Sequence, residues 1–88
     1  MNHKHRKVLH ALFSHPMNDN IDFGQVETVL RELGAEIEER SGAKISVTLN
    51  GKKHAFKHPK HSIPRDEVVE LRHFLTDAGI DPQRDYPL

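Results

Sequence analysis

The residues best suited to chemistry crowd into less than a third of the chain. Residues 40–65 carry Arg40, Lys44, Lys52, Lys53, Lys57, Lys60 and Arg65, three histidines (His54, His58 and His61) and no acid. Seven permanent positive charges without a negative one suit a polyanion. The histidines add groups that exchange a proton near neutral pH. The plainer reading is a solvated face whose charge is balanced by neighbouring elements. Several chemistries are missing. There is no Cys, hence no disulfide, no thiolate nucleophile and no thiolate zinc site. No Gly-rich phosphate loop, Ser-His-Asp set or HExxH motif is present. His3 and His5 diverge on a helix, and His58-x-x-His61 has no third ligand at a recognised spacing, so no metal site is expected.

The chain has 88 residues, 35% of them hydrophobic, and a formal net charge of zero. That is enough for one small core, so a single domain is expected over 1–88. The zero conceals an alternation. Residues 1–17 carry +3, residues 18–39 carry −6, residues 40–65 carry +7 and residues 66–88 carry −4. No apolar run reaches the ~18 residues of a membrane span. The basic N-terminus is not followed by the apolar stretch of a secretory signal. No membrane association is expected, and a reducing, cytoplasmic setting fits.

The elements that must position the cations follow from periodicity. Residues 3–14 read as a helix with Val8, Leu9, Leu12 and Phe13 on one face, ended by Pro16. Residues 23–33 read as a second helix. Asp22 is its N-cap, Gln25 lies three residues on, Ile21 and Val26 suit a hydrophobic staple, and Gly34 takes the C′ position. Val26, Val29, Leu30 and Leu33 make its buried stripe. The period then changes to two. Strands are expected over 35–40, 44–49 and 52–58, with the hairpin turn Asn50-Gly51 between the last two. A helix over about 65–78 has Val68, Leu71, Leu75 and Ala78 on one face, with Phe74 beside it, and closes at Gly79. Residues 81–88, with Pro82 and Pro87, read as a frayed tail. The class is α+β, in the order α-α-β-β-β-α, with helices on one face of a three-stranded antiparallel sheet and the other face open.

Register decides what the open face carries. A two-residue turn pairs Leu49 with Lys52, and counting back pairs Val47 with His54, Ser46 with Ala55 and Lys44 with Lys57. A three-residue connection at Ser41-Gly42-Ala43 keeps Ile37 inward and pairs Arg40 with Lys44. The outward rows are then Glu36–Thr48–Lys53, Glu38–Ser46–Ala55 and Arg40–Lys44–Lys57. Like charges directly opposite one another cost stability unless an anion sits there. Arg40, Lys44, Lys53 and Lys57 are therefore the expected anion contacts. By the same parity His54 points toward the helices.

The stretch FGQVETVLRELGAEIEERSGAKISVTLNGKKHAFKHP, followed by VVELRHFLTDAGI, resembles the HicA family of bacterial type II toxins. The resemblance covers about residues 21–80 and looks closest to a longer branch with an extra N-terminal helix, here within 1–17. It implies a fold similar to the double-stranded-RNA-binding domain, cleavage of mRNA by an endonuclease, and neutralisation by a HicB-type antitoxin. It implies no cofactor. It also implies a catalytic His just after a Gly-Ser turn. Gly42 matches the turn Gly and Ala43 the Ser, so the family His falls on Lys44. The string HAFKHP offers another alignment, which the spacing from Gly34 to the turn disfavours.

That departure can be weighed chemically. RNA transesterification needs a base near the 2′-OH and an acid near the leaving oxygen. Lys44 can neutralise a phosphate or stabilise developing charge. As a base it would have to shed its proton, which neighbouring cations favour and an open, solvated face opposes. His58 and His61, beyond the third strand, supply an acid or base only if their loop folds over the face. RNA binding is thus better supported than cleavage by the family's usual chemistry. The weak catalytic candidates are Lys44 and His58. The non-enzymatic alternative is a catalytically degenerate RNA-binding relative, or an interaction module whose basic face docks an acidic protein.

Overall fold

The protein is described by a computed structural model over residues 1–14, 21–40, 44–57 and 63–88. The elements are α1 (His3–Leu12), α2 (Phe23–Glu32), β1 (Glu36–Arg40), β2 (Lys44–Leu49), β3 (Lys52–Lys57), α3 (Arg65–Asp77) and α4 (Pro82–Asp85). Three strands form one antiparallel sheet in the order β1-β2-β3. The class is α+β with the expected order, extended by α4.

Local signals account for the helix ends. The Asn2 side chain accepts from the His5 N–H at 2.8 Å and starts α1. Asp22 caps α2 through the Gln25 N–H at 3.1 Å. Ile21 and Val26, on either side of that cap, both lie in the core. After α2, Gly34 has φ of +99°, the left-handed conformation that lets the chain leave the helix without steric penalty.

The core is continuous from helices to sheet. Leu9 and Leu12 of α1, Val26, Val29 and Leu30 of α2, and Val68, Leu71, Phe74 and Leu75 of α3 pack over Ile45, Val47, Leu49 and Phe56. Phe23 and Ile63, absent from the expected stripes, are also buried. The Ile63 N–H donates to the Ile21 carbonyl at 3.0 Å, which ties the entry of α3 to the entry of α2.

Two expectations are corrected. The first helix stops at Leu12 rather than 14. Phe13 and Ser14 close it with tighter bonds to the His10 and Ala11 carbonyls, and Arg72 of α3 takes over the next acceptors. Arg72 Nε donates to the Leu12 carbonyl at 2.8 Å and Nη2 to that of Ser14 at 3.2 Å. The tail is not frayed. Asp81 caps α4 through the N–H groups of Gln83 and Arg84, and Pro82 occupies the first turn, where its missing N–H costs nothing. Pro82 is buried, and His10 Nε2 of α1 donates to the Tyr86 carbonyl at 2.7 Å.

The β2–β3 turn is held at both levels. Asn50 has φ of +50° and Gly51 of +80°, as a two-residue type I′ turn requires. The Asn50 amide also donates to the Ala78 carbonyl at 2.8 Å, closing the end of α3. Asn50→Ala removes that bond together with the side-chain amide that lets Asn tolerate left-handed backbone. It is expected to cost about 1–3 kcal/mol, a drop of several degrees in Tm for a chain this size. Thermal unfolding by circular dichroism checks this; an unchanged midpoint contradicts the role given to Asn50.

Candidate nucleic-acid interface

The open face is fixed by hairpin register. Arg40 pairs with Lys44 and Lys44 with Lys57; Glu38 pairs with Ser46 and Ser46 with Ala55; Glu36 pairs with Thr48 and Thr48 with Lys53. These are the expected rows. The Lys57 N–H donates not to β2 but outward, to Glu67 Oε1 of α3 at 3.2 Å. Lys44–Lys57 is therefore a non-hydrogen-bonded pair, the class whose side chains stand closest, with Cα atoms about 4.5 Å apart. By alternation Ser46–Ala55 and Thr48–Lys53 belong to the same class.

Lys44, Lys53 and Lys57 are exposed. Among the described residues none of their ammonium groups has a carboxylate within 4.0 Å. Among the described side chains of this face the positive charge stands on β2 and β3. On the β1 side Glu36 and Glu38 are exposed on the same face, so the face is split between an acidic column and a basic one. Arg40 is placed in its row by backbone pairing. Its side chain, the Ser41-Gly42-Ala43 connection, His58, Lys60 and His61 lie outside the described residues. Lys44, Lys53 and Lys57 thus come together on one face.

One member of the face was not anticipated as special. Ser46 is only 4% exposed although its register points it away from the helices. The longer residues around it shade it. The sequence carries a signal for this: Ser46 and Ala55 are the two smallest residues of the nine in the three rows, side by side at the middle.

His54 points toward the helices, as parity requires. Its ring lies edge-on to Phe56 at 4.5 Å between centroids and 6.0 Å from Phe74. Its Nε2 lies 3.5 Å from Glu70 Oε2, at the outer limit of a hydrogen bond. The packing accounts for a histidine at the core margin. The exposed side of the ring opens on a cleft of about 320 Å³ between β3 and α3, lined also by Lys53, Glu70, His73 and Asp77. Glu70, His73 and Asp77 share one stripe of α3 by helical spacing, a pattern present in the sequence but not singled out there. Among the described residues no group of three His, Asp or Glu is arranged to hold a metal ion.

Glu67 links the helix layer to the basic strand. Burial pushes its carboxyl above the ordinary range, and Asp66 and Glu70 push the same way. The Lys57 N–H and the Lys57 charge pull against them. No helix of the described residues is long and apolar enough to cross a membrane. No protein family, curated protein or solved structure matches the chain.

Two stability measurements test this electrostatic description. Lys44→Glu turns the close Lys44–Lys57 pair into an attractive one, so a gain of about 0.2–1 kcal/mol is expected in urea unfolding at low salt, shrinking as salt screens it. Destabilisation at low salt would contradict the repulsive pairing. For Glu67, the folded-state pKa is raised, so its contribution is present below the ordinary carboxylate range and lost as pH rises through the folded value. Glu67→Gln keeps an acceptor for the Lys57 N–H and removes the charge. Its stability relative to wild type is expected to be greater at pH 7 than at pH 3, read from paired urea titrations.

Proposed function

We propose that this chain is an RNA-binding domain of the HicA toxin type, and that it lays an RNA backbone across the basic half of its open sheet face. The observation that carries the reading is the close cross-strand pairing of Lys44 with Lys57, with Lys53 on the same face, all exposed and none ion-paired among the described residues. Like charges opposed in this way are tolerated at a cost to folding that a phosphate would relieve. The resemblance of residues 21–80 to the HicA family supplies the biological frame: an mRNA endonuclease toxin neutralised by a HicB-type antitoxin.

Acid–base chemistry sets the second reading. Where the family His would stand, this chain has Lys44, so the alternative is a relative that binds RNA without cutting it, or whose basic face docks an acidic protein. The His54–Glu70 pair does not weigh against it: the 3.5 Å contact is at the outer limit of a hydrogen bond, and His54 lies on the helix side of the sheet, away from the lysines.

RNA affinity measured against salt tests the binding itself. Each phosphate contact contributes about −0.7 to the log–log slope on single strands. Replacing Lys44, Lys53 and Lys57 together by Gln is expected to weaken binding and flatten the slope by roughly 2. A wild-type protein with no salt-dependent RNA affinity sinks the proposal. Expression in bacteria separates the two readings. Growth arrest with transcript decay, lost in Lys44→Ala, favours the enzyme; salt-dependent binding without decay favours the non-cutting module.

A further inference from the structure

By side-chain size the middle of the open face is a notch, where Ser46 and Ala55 lie side by side among longer residues, and the Ser46 hydroxyl has no hydrogen-bond partner among the described residues. Of the nine residues in the three rows, eight surround Ser46: Glu36, Thr48 and Lys53 on one side, Arg40, Lys44 and Lys57 on the other, and Glu38 and Ala55 across the strands. Ala55 is the one small neighbour, and it lies on β3, an edge strand. The depression at Ser46 therefore opens through Ala55 toward the free edge of the sheet. Lys53 and Lys57 flank that opening, their Cα atoms about 13 Å apart along the strand, and Lys44 stands beside Ser46 on β2.

Neither floor residue is there for the strand's sake. β-branched and aromatic residues fill a pleated surface better, and Ala is depleted in strands. Ser46 is 4% exposed, and its hydroxyl has no hydrogen bond among the described residues. A buried hydroxyl left unpaired is costly. It is not sealed off from solvent, however. Among the described residues the one fully enclosed side-chain polar atom without a partner is Arg6 Nε, on the far side of the core. The Ser46 hydroxyl therefore remains within reach of a ligand in the notch.

We propose that this notch seats a single phosphate group of the RNA backbone, with the Ser46 hydroxyl donating to a phosphate oxygen between Lys44, Lys53 and Lys57. The inference rests on the RNA-binding reading above and narrows it to one anchoring contact. Charge selects an anion on the β3 side, where Lys53 and Lys57 stand, and Glu36 disfavours one at its end of β1. The floor selects a phosphate over a base. Base stacking needs an aromatic ring or a guanidinium plane; no aromatic residue occupies any of the nine positions, and the one arginine among them, Arg40, stands on β1, at the opposite edge of the sheet from Ala55. A hydroxyl donor with ammonium groups around it is a phosphate's complement. Anchoring of this kind fixes the register of the strand without reading its sequence.

The test uses the full chain with single-stranded hexauridylate RNA, inorganic phosphate and a hexaglutamate peptide as probes. Amide NMR spectra verify that each variant is folded. With wild type, RNA is expected to shift the amide signals of Lys44, Ser46, Ala55 and Lys57. Ser46→Ala is expected to weaken RNA binding about tenfold while keeping the salt slope, because no charge is removed. Ala55→Leu, which fills the notch and keeps every charge, is expected to weaken binding at least as much. If both variants bind RNA as wild type does, the notch is overturned and the broader RNA-binding reading survives. If wild type binds no RNA, that reading fails, and inorganic phosphate decides the notch. Shifts at Ser46 and Ala55 that vanish in Ser46→Ala uphold it, and silence there overturns it. Hexaglutamate binding as tight as RNA and equally sensitive to Ser46→Ala would overturn the phosphate assignment in favour of a carboxylate-bearing protein partner.

Discussion

A two-residue turn at Asn50-Gly51 holds Leu49 opposite Lys52, and the period-two geometry of strands carries that one pairing along the whole hairpin. Ile45, Val47 and Leu49 then have to face the helices together, and Lys44, Ser46 and Thr48 have to face away. The apolar core and the basic surface are two sides of the same constraint. A slip of one residue would expose three buried aliphatic side chains and drive Lys44 and Lys57 under α3. Core burial therefore enforces the crowding of positive charge on the other side, even though the crowding is itself unfavourable.

The charge on that surface is arranged across the strands rather than along them. Glu36 and Glu38 stand on β1, ahead of Arg40 at its end, and lysines on β2 and β3, so most of the face has a polarity at right angles to the strand direction. The chain's zero net charge hides this, because the acidic and basic blocks of the sequence fold into separate territories. A polyanion meets attraction over one half and repulsion over the other. This confines where it can lie more tightly than a uniformly basic sheet would.

Much of the architecture was legible in the sequence because its signals act locally and agree. The Asp22 cap, Gly34, the alternation over 44–49 and the Asn50-Gly51 turn each specify backbone geometry by themselves, and the observed register follows from counting between them. The short helix α4 does not show in the hydrophobic periodicity. Pro82 served as a stop in the sequence reading, whereas after Asp81 it opens a helical turn. Phe23 and Ile63 fall outside the apolar stripes of the sequence because their burial comes from contacts distant in sequence. For the site, parity placed Lys44, Lys53 and Lys57 on one face and His54 on the other. It could not reveal that Ser46 would be shaded by its neighbours, or that Glu67 would reach the Lys57 N–H. Both depend on side-chain packing in three dimensions.

The guanidinium of Arg72 bears on where this fold can be cut. Two of its hydrogen bonds end on carbonyls at the close of α1, and Leu9 and Leu12 of that helix are wholly enclosed. A version trimmed to residues 21–80 would lose those acceptors and lay bare the aliphatic surfaces of α2 and α3 beneath. The leading helix is thus a lid over the hydrophobic interior, and shortening the chain from that end dismantles the platform that keeps the sheet's lysines in line.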